Sequence, residues 1–412
     1  MTSEIDRWKE EAEAALQPLF TARNRMAENN QRKVLEAFRA EGVSDFHFAG
    51  STGYGYDDQG REKLEHIYAR VFEAEAAIVR PQLISGTHAI STVLFGILRP
   101  GDEMVYVTGK PYDTLEEVIG ADDQDGSGSL RDFGISYREI PLKPDGEVDV
   151  GAFYSTLTSN TKLVGIQRSR GYDDRPSLTV SEIETIIGRI RETAPQAVIF
   201  VDNCYGEFVE EREPTQAGAD IIAGSLIKNP GGGLAKIGGY IAGRRELIER
   251  CGNRLTAPGI GLEGGPTLQT MTDFYQGFFL APHVVNEAMK GALFTAHLLS
   301  SAGMDVSPRW DEPRTDLIQS VAFPDAQAMI AFCQSVQAGS PVDAHVTPNP
   351  SQMPGYQSDV IMAAGTFVQG SSIELTADGP IRPPYRAYIQ GGLTFEHVKI
   401  AVTDALKQLN KQ

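Results

Sequence analysis

The chain has 412 residues, 41% of them hydrophobic, which provides for a sizeable core and two domains and excludes an intrinsically disordered chain. Acidic residues outnumber basic ones by 55 to 37, for a formal net charge of −18, and this argues against nucleic acid and anionic membranes as general partners. Three widely spaced cysteines (Cys204, Cys251, Cys333) make no metal-ligand pattern, so no metal site is expected and a reducing compartment is the simplest setting. The first residues, Met1 to Asp6, show neither a basic stretch nor an apolar segment of a leader, and no apolar run reaches membrane-spanning length. A cytoplasmic protein without a membrane partner is expected.

Residues 1–48 read as a charged helical arm, with Leu16, Leu19, Phe20, Val34, Leu35 and Phe38 at mixed spacing. A glycine-rich, aromatic stretch follows, Ala49-Gly50-Ser51-Thr52-Gly53-Tyr54-Gly55-Tyr56. Leu64, Ile67, Tyr68, Val71 and Phe72 then fall on one face of a helix. From there short apolar runs (76–79, 104–107, 163–166, 198–201, 221–223) alternate with helical stretches. Ser181-Glu182-Ile183-Glu184 matches a capping box at the head of one of them. This alternation predicts an α/β domain over residues 49–285, with a mostly parallel sheet covered by helices. Beyond that the pattern loosens among several prolines, and a final helix near Glu396 to Leu409 closes a smaller C-terminal α+β domain, 286–412.

Two residues carry the chemistry. The apolar run Ala197 to Val201 ends in Asp202, and the run after it, Ile221 to Ala223, leads through Ser225 to Lys228. An acid at the end of one strand and a lysine beyond the next is the arrangement that pyridoxal 5′-phosphate requires. The lysine holds the aldehyde as a Schiff base, and the carboxylate keeps the pyridine nitrogen protonated. Lys236, past the glycines 231–233, is the rival lysine. A phosphate cradle is offered by Ser85-Gly86-Thr87, which opens the helical run Ala89 to Leu98, with Ser225 as a further hydroxyl. An ordinary capped turn would have the same sequence. Tyr112, beyond the run 104–107, is placed to stack on a flat ring and pass a proton to a leaving group.

Several longer motifs carry a resemblance. They are Tyr54-Gly55-Tyr56-Asp57-Asp58-Gln59-Gly60-Arg61, Ser85-Gly86-Thr87-His88-Ala89-Ile90, Leu98-Arg99-Pro100-Gly101-Asp102-Glu103, Val201-Asp202-Asn203-Cys204-Tyr205, Gly224 to Gly233, Gln276 to His283, Ser371 to Leu375 and Gln390 to Thr394. Over nearly its whole length the chain resembles the Cys/Met-metabolism enzymes of pyridoxal-phosphate fold type I, and within them the methionine γ-lyase-like, aluminium-resistance branch. The resemblance implies that fold and that cofactor, with Lys228 as Schiff-base lysine, Asp202 at the ring nitrogen, Tyr112 stacked on the ring, and Ser85, Gly86, Thr87 and Ser225 at the phosphate. It also implies a homodimer or homotetramer in which Tyr54 and Tyr56 complete a neighbour's site. The arginine that the wider group carries two residues after its first tyrosine is here Tyr56, and the hydroxyl residue before its lysine is here Ile227. Arg61 is a candidate replacement for the arginine. Arg382, then Arg386, are the candidates for the substrate α-carboxylate.

The expected activity is that of a pyridoxal-phosphate-dependent C–S lyase on a sulfur-containing amino acid, by β-elimination (cystathionine, cysteine) or γ-elimination (methionine). Transamination and racemisation begin at the same carbanion. A pyridoxal-phosphate-binding protein with a regulatory or homeostatic role and little turnover is the other reading.

Overall fold

The structure is a computed structural model that describes residues 4–121 and 126–409; residues 1–3, 122–125 and 410–412 lie outside it. Helix α1 (Glu4–Ala40) is followed by α2 (Gln59–Val71), strand β1 (Ala76–Arg80), α3 (Gly86–Ile97) and β2 (Glu103–Tyr106). After a single-turn helix α4 (Glu116–Ile119) come β3 (Ser136–Glu139), the equally short α5 (Phe153–Thr156), β4 (Thr161–Gln167), α6 (Val180–Thr193), β5 (Val198–Asp202), β6 (Ile221–Ser225) and β7 (Gly239–Gly243). Strands β1 to β7 form one sheet in the order β1-β7-β6-β5-β4-β2-β3. Strands β6, β5, β4, β2 and β3 are mutually parallel, and β7 runs antiparallel to both its neighbours.

The uninterrupted apolar runs arise because this sheet is covered on both faces. Val164, Ile166, Ile199, Val201 and Ile222 point into one core, while Leu163, Val198, Phe200, Ile221 and Ala223 point into a second. A strand buried on both sides has no polar alternation to show.

The rest of the chain comprises α7 (Arg245–Leu255), α8 (Met271–Ser301), β8 (Val306–Ser307), β9 (Gln319–Ala322), α9 (Ala326–Ala338), β10 (Val360–Ala363), β11 (Thr376–Pro380), β12 (Arg386–Gln390) and α10 (Phe395–Leu409). Its strands make an antiparallel sheet, β10-β11-β12-β9-β8. Residue 285 falls inside the unbroken α8, whose first part packs into the large core and whose last turns, from Leu293, pack into the C-terminal one. Helix α1 joins the same two cores: Ile5, Ala12, Leu16 and Phe20 lie in the second, and Val34 and Ala37 in the first. The capping box of α6 is Thr179 with Glu182, not Ser181 with Glu184, because Thr179 is the last extended residue and the helix starts at Val180.

Two buried arginines fix the glycine-rich stretch. The Arg61 guanidinium donates to the carbonyls of Gly55 (2.6 Å), Gly265 (2.8 Å) and Glu263 (3.1 Å). Arg80 pairs with Glu65 at 2.7 Å and donates to the carbonyls of Gly264 and Leu262. Losing one partner of such a buried pair typically costs about 3–5 kcal/mol. Arg61 is therefore a structural pin whose donors face backbone oxygens, which corrects its candidacy as a phosphate ligand. The glycines 231–233 are explained by close packing: Gly232, at φ 54°, has the backbone oxygen of Gly277 where a Cβ would stand.

Candidate active site

Three parallel strands bring the site together. Gln167 at the end of β4 lies beside Asp202 at the end of β5, and Ser225 ends β6. The carboxyl ends of parallel strands are where open α/β sheets place ligands. A cavity of about 210 Å³ opens there. It is lined by Ser85, Gly86, Thr87, Tyr112, Asp202, Ser225 and Lys228 among the residues expected from the sequence. Tyr54, Tyr56, Arg382 and Arg386 are not among its lining residues.

The floor suits a phosphate. Helix α3 begins at Gly86, and the Ser85 hydroxyl accepts the His88 N–H at 3.0 Å as its N-cap. The first-turn N–H groups have no partner within the helix and carry its positive dipole end. A Cβ on Gly86 would stand 3.3 Å from both Cys204 Sγ and Ser225 Cβ, so a side chain would fill the crevice. The buried Ser225 hydroxyl has no partner among the described residues, and the Thr87 hydroxyl meets that of Thr114 at 2.8 Å.

Asp202 is buried and accepts the Cys204 N–H at 3.1 Å. Burial raises its carboxyl above the ordinary aspartate range, against the opposing pull of Lys228. Lys228 sits with Nζ 4.0 Å from the ring centre of Tyr205. Burial pushes its ammonium down, but the acidic groups of Cys204, Tyr205, Asp202 and Glu207 outweigh that, so the amine is held above the usual lysine range. Lys236, by contrast, is exposed and pairs with Asp273 at 2.7 Å. An acid and an amine at the head of a phosphate cradle fit pyridoxal phosphate: Asp202 would meet its ring nitrogen, Lys228 its aldehyde, and Ser225 with the head of α3 its phosphate.

Tyrosines wall the cavity. The Tyr112 and Tyr356 hydroxyls are 2.6 Å apart, and burial, then the neighbouring phenol, holds the Tyr112 phenol well above its ordinary value. Tyr172 and Tyr205 complete the wall. The C-terminal sheet adds Ser372, Thr376, Asp378 and Gln390. Of these, Asp378 stands four residues before Arg382, and nothing local in the sequence distinguishes it from a surface acid.

The two arginines lie elsewhere. Arg382 is half-exposed and reaches Asp113 at 3.7 Å, next to Tyr112, so it stands beside the cavity wall. Arg386 pairs with Asp174 (3.3 Å) and Asp305 (3.0 Å), outside the cavity lining. Tyr54 and Tyr56 stack on each other with ring centres 5.2 Å apart and are largely exposed.

Behind Lys228 lies a carboxyl that the sequence reading missed. Glu207 is fully buried and accepts the Tyr240 hydroxyl at 2.9 Å. Burial, with Glu213 adding to it, pushes Glu207 up to about 8.

Fold and cavity together define a pyridoxal-phosphate protein of fold type I. The chain belongs to the methionine gamma-lyase family, whose model matches residues 5–410, and pyridoxal 5′-phosphate is its cofactor. A Bacillus subtilis relative, the uncharacterized protein YnbB, is 57% identical over 97% of this chain and 95% of its own. A Listeria innocua structure proposed to be a cystathionine beta-lyase involved in aluminium resistance is 61% identical, with a TM-score of 0.95, covering 98% of this chain and 99% of its own. The carbon-sulfur lyase involved in aluminium resistance from Clostridium novyi is 48% identical with a TM-score of 0.94, covering 98% and 95%. Among the described residues no helix is long and apolar enough to cross a membrane.

Glu207 gives the site a pH signature. Its folded-state value lies above that of an unfolded glutamate, so its contribution to stability is complete at low pH and is lost as pH rises through about 8. Glu207→Gln cannot ionise. Its melting temperature relative to the parent is expected to climb between about pH 5 and about pH 8 and to level off above that, as scanning calorimetry across that range would show.

Proposed function

We propose that the protein is a pyridoxal-phosphate-dependent carbon–sulfur lyase that eliminates a thiol from a sulfur-containing amino acid. The observation that carries this reading is the meeting of Asp202 and Lys228 in one cavity whose floor suits a phosphate. When bound, the cofactor supplies an aldehyde for amino groups and an electron sink for the substrate's Cα. Asp202 keeps a proton on the ring nitrogen. Lys228 Nζ, once free, takes the proton from Cα. Tyr112 remains protonated because of its burial, and its hydroxyl delivers a proton to the departing sulfur. The wall formed by Tyr112, Tyr172, Tyr205 and Tyr356 keeps bulk water from the reacting carbon. Departure of the thiol from Cβ leaves an enamine whose hydrolysis by one water yields pyruvate and ammonia. Departure from Cγ requires loss of a further proton from Cβ, and hydrolysis by one water then yields 2-oxobutanoate and ammonia. The same residues serve both routes.

The purified protein is expected to be yellow and to release keto acid and thiol from at least one of cystathionine, cystine, cysteine, methionine and homocysteine. Borohydride should fix the cofactor on Lys228. A coloured protein that turns over none of these would favour the homeostatic reading, and a reduced adduct on Lys236 would reassign the lysine.

Arg382 is the arginine we assign to the α-carboxylate, because it projects from the C-terminal domain beside Tyr112 through a long, half-exposed pair with Asp113. Arg382→Ala is expected to raise KM roughly 10- to 100-fold, the value of a charge-assisted contact, with cofactor absorbance intact. The same pattern in Arg386→Ala and not in Arg382→Ala would exchange the two.

A homodimer or homotetramer belongs to the same reading. Tyr54 and Tyr56 are exposed, lie outside their own cavity, and are held out by a pinned loop, which suits service to a second copy's site. Sedimentation is expected to give a dimer or larger, with Tyr56→Ala lowering activity; a fully active monomer at all concentrations would overturn this.

A further inference from the structure

The cavity holds a second carboxylate to which the elimination chemistry gives no task. Asp378 is 3% exposed and lies on β11, two residues from Thr376, so that both face the cavity by the period of the strand. One carboxylate oxygen accepts the Tyr172 hydroxyl at 2.8 Å and the other accepts Gln390 Nε2 at 2.9 Å. Both donors are neutral, and no cation of the described residues stands within ion-pair distance of it. Among the described residues Lys228 is the only basic one that lines the cavity, and its charge favours the ionised form of Asp378 without forming an ion pair with it. Burial pushes Asp378 up to about 6, which leaves it mostly ionised at neutral pH.

A buried carboxylate without an ion-pair partner is costly, and it is tolerated where a ligand brings the charge. The surroundings fit one kind of charge. Tyr112, Tyr172 and Tyr356 contact one another with ring centres 5.8 to 6.2 Å apart, and Tyr172 donates directly to Asp378. Aromatic faces beside a carboxylate are the recognition chemistry of an ammonium group. The substrate's α-amino group is committed to the cofactor, so the cation must lie at the far end of the substrate. We propose that Asp378, with this tyrosine cluster, is a subsite for a distal ammonium carried on the departing thiol, which makes amino-thiol thioethers the preferred substrates. This rests on the lyase reading.

The test uses the holoenzyme and a charge series of one length: S-(2-aminoethyl)-L-cysteine (cationic), S-propyl-L-cysteine (neutral) and S-carboxymethyl-L-cysteine (anionic). The kcat/KM for the cationic member is expected to exceed that for the neutral one by roughly 10-fold or more, as a charge-assisted contact allows, with the anionic member lowest. In Asp378→Asn the cationic-to-neutral ratio should fall to within about 3-fold of unity. A second measurement needs neither turnover nor a variant. L-lysine should bind the wild-type holoenzyme more tightly than L-norleucine, its uncharged counterpart, by calorimetry. Elimination with no charge preference would overturn the subsite and leave the lyase standing. Tight lysine binding with no elimination from any thioether would keep the subsite and overturn the lyase. An unchanged ratio in Asp378→Asn, with both rates lowered together, would make Asp378 a structural partner of Lys228 and overturn the proposal.

Discussion

The site depends on one constraint: a carboxylate held at the end of a strand that water does not reach from either face. All five residues of β5 are buried, and Asp202 is the last of them. The neighbouring parallel strands end at the same level, so their terminal side chains have nowhere to point but into the crevice above the sheet. Burial disfavours the ionised form of Asp202. The ammonium of Lys228, placed just past β6, works against that. Acid and amine thus stabilise each other's charged forms before a ligand arrives, and a ring bearing both a basic nitrogen and an aldehyde can meet each of them.

The same sheet explains why the cofactor floor is rigid while its surroundings are assembled from distant segments. Glycine at 86 lets Cys204 and Ser225 close against the head of α3, and glycine at 232 lets the segment after Lys228 lie flat on α8 at Gly277. Helix α8 then continues into the second core and carries the C-terminal sheet with it. One helix therefore sets the distance between the lysine-bearing loop and the wall that carries Asp378.

Much of this was legible in the sequence. The apolar runs ended within two residues of the strand ends, and Asp202, Lys228, Ser85, Gly86, Thr87, Ser225 and Tyr112 do line one cavity. These are the residues whose neighbours in sequence report their place: a strand end, a helix start, a turn after a strand. Where that local context was lacking, the reading went astray or fell silent. Arg386 was the second candidate for the substrate carboxylate, and the sequence did not show that two aspartates from distant segments, Asp174 and Asp305, engage it. Arg61 looked like a spare cation, but backbone carbonyls around residues 55 and 263–265 take its donors. Glu207 and Asp378 gave no signal, because an acid's burial is decided by which elements fold over it. Residue 285, read as the end of the larger domain, lies inside α8, a helix shared by two cores with no break in its periodicity.

The charges of the cavity divide between the two domains, and the division has a chemical sense. Asp202 and Lys228 come from the large sheet, where both faces are packed and little can move. Asp378 comes from the antiparallel sheet of the C-terminal domain, and the tyrosines around it come from three separate loops. Groups that meet the cofactor must keep one geometry for every substrate, so a doubly buried parallel sheet is the place for them. Groups that discriminate between substrates need only the right charge and shape, and loops with one strand of a second sheet supply that. A chain built this way can exchange its specificity wall without disturbing the lysine and the acid beneath it.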